Sequence, residues 1–111
     1  MRHKCTTIVL AILCTSASLV HAAGTVNFVG VRSCGEWFSN KSSYLLKSNQ
    51  ESWLLGYLSG LASVTGKDFI TGTENSTLFQ WVDDFCRAKP IEEIDSAANE
   101  IARKLIGRKG L

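Results

Sequence analysis

Residues 48–66 read Ser48-Asn49-Gln50-Glu51-Ser52-Trp53-Leu54-Leu55-Gly56-Tyr57-Leu58-Ser59-Gly60-Leu61-Ala62-Ser63-Val64-Thr65-Gly66, and this stretch decides the fold class. Ser48 with Glu51 three residues on is a capping box, and Gly66 is placed to close the far end of a helix. Between them Trp53, Leu54, Tyr57, Leu58, Leu61 and Val64 recur at three- and four-residue spacing, which is one apolar helical face. Gly56, Ser59, Gly60 and Ser63 make a second strip of small residues. A glycine inside a helix costs about 1 kcal/mol, so the strip predicts close packing against another backbone. The segment is too short and too mixed in polarity for a membrane dimerisation helix.

Working outward, Ser33 and Glu36 form another capping box, opening a first helix that carries Cys34, Trp37 and Phe38. Asn40-Lys41-Ser42-Ser43 weakens it, and Tyr44-Leu45-Leu46 either continues it or begins a loop. Ahead of it, Ala23 to Val31 is a short β-branched segment and reads as an edge strand or an extended arm over the helices. Residues 67–75 form a loop. A third helix begins at Ser76 or Thr77 and shows Leu78, Phe79, Val82, Phe85 and Cys86 on one face, widened by Trp81. Pro90 ends it and suits the first position of the next helix. The face of that fourth helix is Ile91, Ile94, Ala97, Ala98, Ile101, Leu105 and Ile106. Glu92, Glu93 and Asp95 crowd its start, and Arg103, Lys104, Arg108 and Lys109 its end, as the helix dipole favours. The expected fold is all-α: a small four-helix domain with a short N-terminal extended arm.

The first 22 residues read as a signal peptide. Arg2, His3 and Lys4 are a positive start, Thr6 to Val20 is mostly apolar, and Val20-His21-Ala22 offers a cleavage site before Ala23. The apolar stretch is short for a bilayer and no second long one follows, so no stable membrane anchor is expected. A single helical domain would occupy residues 23–111, in the periplasm. Cleavage removes both histidines (His3 and His21), Cys5, Cys14, and two of the twelve basic residues, Arg2 and Lys4. Ten basic side chains then face ten acidic ones. A neutral exported domain has no electrostatic case for nucleic acid or anionic lipid.

Cys34 and Cys86 remain, and in an oxidising compartment they have one intramolecular pairing. A domain this small is marginal without such a staple. With two cysteines and no histidine in residues 23–111, neither a structural zinc site nor a histidine-based nucleophile can be built from one mature chain. Asp83 and Asp84 are adjacent, so on a helix they point about 100° apart and do not converge on one substrate atom. Glu92-Glu93 are better explained as helix-start charges. No phosphate loop or dinucleotide fingerprint is present. The chain therefore reads as a binding protein, not an enzyme, with no cofactor and no metal. Trp37, Trp53 and Trp81, one per helix, are either core or the aromatic anchors of a binding surface.

Three segments occur in order: Cys34-Gly35-Glu36-Trp37, Trp53-Leu54-Leu55-Gly56-Tyr57-Leu58-Ser59-Gly60, and Trp81-Val82-Asp83-Asp84-Phe85-Cys86-Arg87-Ala88-Lys89-Pro90. Across Ser33 to Leu105 they resemble the Rap/Tai group of immunity proteins, small exported helical proteins that neutralise type VI secretion amidase toxins in the bacterial periplasm. The resemblance implies a secreted or periplasmic protein partner, an amidase toxin. The contact region expected is the loop from Gly66 to Asn75, with Lys67, Asp68 and Glu74 exposed between two rigid helices. The Gly/Ser strip and the aromatic residues also make a homodimer a candidate assembly. A second resemblance is to the HdeA-type acid-stress chaperones, which are likewise short, periplasmic, helical and stapled by one disulfide. Exported accessory proteins of conjugation gene clusters look similar too.

Overall fold

The computed structural model describes residues 26–111. The signal-peptide reading, Cys5, Cys14 and Thr25 lie outside the described residues. Four helices follow one another: α1 (Cys34–Ser39), α2 (Tyr44–Thr65), α3 (Asn75–Ala88) and α4 (Ile94–Lys109), with a 3-10 turn at Asn40–Ser42. The all-α four-helix architecture is as expected.

The capping box at Ser33 forms. Glu36 N–H donates to Ser33 Oγ at 3.1 Å, and Ser33 N–H donates to Glu36 Oε2 at 3.0 Å. The one expected at Ser48 does not. α2 starts at Tyr44, where Leu46 N–H donates to Ser43 Oγ at 3.4 Å, so Ser48 lies inside the helix. A 3-10 turn of three residues absorbs the weak Asn40-Lys41-Ser42 stretch and lets Ser43 take the cap. At the far end Gly66 adopts φ 64°. Gly66 N–H reaches Ser63 O and Lys67 N–H reaches Ala62 O at 3.2 Å, closing the helix in a Schellman motif.

α4 packs on both α2 and α3. Its Ala97, Ala98 and Ala102 admit close neighbours, and with Ile94, Ile101 and Leu105 they meet Leu54 and Leu58 of α2 and Leu78, Val82 and Phe85 of α3 in one core. Trp37 and Phe69 complete it. The Cys34–Cys86 disulfide is present within this core, joining the start of α1 to the last turns of α3 across 52 residues.

Two features of the fourth helix are corrected. It begins at Ile94, not at Pro90 or Ile91, and Ile91 is 94% exposed, outside its face. The cause is backbone pairing: Cys34 N–H donates to Glu92 O and Ile94 N–H to Arg32 O, both at 2.9 Å. Residues 92–94 thus lie antiparallel to residues 32–34 as an isolated bridge, and cannot also be helical.

The expected face of α2 is also narrower than its pattern. Leu54 and Leu58 are buried, Trp53, Tyr57 and Leu61 half-buried, and Val64 is 82% exposed. The arm (residues 26–32) forms no ladder strand; it turns at Val29-Gly30, where Gly30 has φ 78°, and covers part of this side. Trp53 Nε1–H donates to Val29 O at 2.7 Å, and Phe28 meets Tyr57 edge-on at 5.5 Å. Close backbone packing on the Gly/Ser strip is not found: a Cβ at Gly56 or Gly60 would have nothing within 4 Å. Gly56→Ala and Gly60→Ala should therefore each stabilise the fold by about 0.5–1 kcal/mol, through helix propensity alone. Urea denaturation reads this directly; a loss of stability would mean that the strip is covered.

Candidate functional site

The loop between α2 and α3 is held from three directions. Phe69 is fully buried and anchors its middle in the core. Thr73 N–H donates to Ile70 O at 2.9 Å, closing a turn whose third residue, Gly72, has φ 87°. A side chain there would be strained, and glycine suits it. From α4, Lys109 Nζ donates to Asp68 O at 3.3 Å and to Thr71 O at 2.5 Å.

The three contact residues expected from sequence fall differently within this frame. Glu74 is exposed and precedes α3 with no side-chain cap hydrogen bond. Lys67 is half-buried. Asp68 is exposed, but its Oδ1 accepts Thr71 N–H at 3.1 Å, so it shapes the loop. That backbone bond, followed by the Thr71 hydroxyl, holds the Asp68 carboxyl below its ordinary 3.8. Glu36 is lowered in the same way from its ordinary 4.5, first by the Ser33 backbone N–H and then by the Ser33 hydroxyl.

Both folded-state values lie below the unfolded ones. Their stabilisation is therefore complete above the ordinary values of 4.5 and 3.8 and is lost as pH falls through the depressed values. Thermal melts should be flat from neutral pH to about 5 and fall below about 4. Asp68→Asn with Glu36→Gln should flatten that acid limb; a limb of unchanged steepness would exclude these two carboxylates as its cause.

A second feature lies along the α3/α4 seam. A groove of about 210 Å³ is floored by Trp81, Phe85, Ala88, Ala97 and Ile101. Lys104 Nζ stands 4.2 Å and Arg108 Cζ 5.2 Å from the Trp81 ring centre. At the other end Lys89 Nζ pairs with Glu100 at 3.3 Å and lies 4.8 Å from the Phe85 ring centre.

The adjacent aspartates do diverge, as expected from their spacing. Asp84 faces solvent, accepting from Gln80 and Arg87. Asp83 turns inward, where Trp37 Nε1–H donates to it at 2.6 Å and Lys41 Nζ at 2.7 and 2.6 Å. Gln50, also buried, donates to Trp37 O at 2.9 Å and accepts from Asn40 Nδ2 at 3.1 Å. This polar network fixes the 3-10 turn against α2 and α3. The tryptophans split between the two sequence readings: Trp37 is core, whereas Trp53 and Trp81 keep part of their surface outside. Nothing in the spacing flagged the groove or the Asp83 network, although Trp81 and Asp83 each flank the apolar face of α3.

Among the described residues no group of three or more His, Cys, Asp or Glu side chains is placed to hold a metal ion. No described helix is long and apolar enough to cross a membrane. No family model, no curated protein and no solved structure matches the chain.

Proposed function

We propose that this chain is an exported inhibitory binding protein that acts in the periplasm without catalysis, as the Rap/Tai resemblance implies. Its partner in this reading is a secreted enzyme of the amidase-toxin kind, and the loop at residues 66–74 is the element that engages it. The observation supporting this is the tethering of that loop by Phe69, the Asp68 turn and Lys109. A segment already ordered in the free protein loses little conformational freedom on binding, and pre-organisation of this kind is what an inhibitory loop needs. Glu74 and Lys67 are its charged contacts, and Asp68 sets its shape.

The product of the neighbouring gene, exported to the periplasm with and without this chain, provides the test. The expected result is growth arrest by the neighbour alone, rescue by co-expression, and loss of rescue with Glu74→Arg and Lys67→Glu combined. If the neighbour is harmless in the periplasm, or does not co-purify with the chain, the reading fails.

A further inference from the structure

The α3/α4 groove has a charge pattern that the loop reading does not use. Its two acidic neighbours are already paired within the fold, Glu100 with Lys89 and Asp84 with Arg87, each at 3.3 Å. Lys104 and Arg108 form no ion pair among the described residues, and both lie on one face of α4 over the exposed part of Trp81. The floor between these charges is apolar. At about 210 Å³ the groove is smaller than the roughly 300–1,000 Å³ of typical small-molecule sites, so it suits a single anchoring side chain.

We propose that this groove docks an acidic peptide segment of another protein, with one large apolar residue on the Trp81–Phe85 floor and a neighbouring carboxylate against Lys104 and Arg108. The apolar floor calls for an apolar anchor, and the two unpaired cations call for an anion beside it. Each carboxylate would gain planar or ammonium donors that are already positioned by the indole ring beneath them. Nucleic acid fits poorly: ten basic and ten acidic side chains in the described residues leave no net positive field. The inference stands apart from the loop, but the two are close. Lys109, next to Arg108, is the residue that tethers the loop, so one partner could engage both.

The test titrates the disulfide-intact protein with three capped peptides while following the Trp81 indole N–H by NMR. One has a leucine-phenylalanine core flanked by glutamates, the second has the same core flanked by lysines, and the third has a serine core flanked by glutamates. The first should bind saturably, more weakly as salt is raised, and the other two should not. Lys104→Glu with Arg108→Glu, two exposed positions, should leave the protein folded with a modestly lowered melting temperature, since two ring contacts and two favourable helix-end charges are lost. It should weaken the first peptide by about tenfold or more and favour the second. The proposal is overturned by no saturable shift at Trp81, by equal binding of the serine-core peptide, or by an unchanged affinity in the double variant. Equal binding of inorganic phosphate or a short DNA duplex overturns it too. So does a concentration-dependent Trp81 shift without peptide that Ile91→Ser abolishes, which would assign the groove to a second copy of this chain. Loop variants at Lys67 and Glu74 should leave peptide binding unchanged, so failure here is separable from failure of the loop reading.

Discussion

Replacing Cys34 and Cys86 together with alanine should lower the stability of the domain by about 4 kcal/mol and its melting temperature by roughly 15–30 °C. The bridge joins positions 52 apart, so breaking it returns a long loop to the unfolded ensemble, whose gain in freedom is the largest part of the effect. Both residues are fully buried, and a reductant acting on the folded protein has poor access to them. The paired substitution is therefore the cleaner measurement. The loss should also have a local signature. Cys34 is the residue whose N–H donates to Glu92 O, so α1 and the 92–94 segment should lose hydrogen-exchange protection first. A double variant that melts with the native protein would show that the bridge is not the clamp of this fold.

The second large effect is expected at Asp83. Its carboxylate receives both the buried Trp37 indole N–H and the Lys41 ammonium. Asp83→Ala would leave the indole donor buried without a partner, a cost of about 1–3 kcal/mol. The lost ion pair adds less than a fully buried one would, because the Lys41 side chain is 37% exposed and can turn into water. Together the loss should be about 2–3 kcal/mol by urea denaturation, with an unchanged m-value. Asp83→Asn keeps an acceptor for Trp37 and should lose about half as much. Equal losses for the two variants would mean that the charge, not the indole bond, holds the 3-10 turn in place.

These two sites differ in how far they could be read in advance. The disulfide followed from reading the chain as exported with Cys34 and Cys86 left after processing, because that compartment and count leave one intramolecular pairing. The Asp83 network did not, because adjacency on a helix says only that Asp83 and Asp84 part company. Which of them turns inward depends on Trp37, 46 positions earlier, and on a 3-10 turn that brings Lys41 over it. The same holds for the groove: Trp81, Lys104 and Arg108 are ordinary on their own helices, and only the packing of α4 along α3 stacks the cations on the ring.

Local chemistry therefore determined the parts whose partners lie within a few residues. Ser33 with Glu36, Gly66 after Thr65, and the apolar spacing of α3 all satisfy helix ends or faces from nearby sequence, and each is found where the pattern puts it. Tertiary contacts decided the rest. The start of α2 lies at Tyr44, capped by Ser43, because the preceding turn leaves that cap free, while Gln50, between the Ser48 and Glu51 read as a cap, is a buried bridge to Trp37. Ile91 left the fourth helix because residues 92–94 give their backbone groups to residues 32–34. The loop at residues 66–74 was legible as a loop from its composition. Its rigidity was not, because it comes from Phe69 in the core and Lys109 on α4, contacts between residues about 40 positions apart.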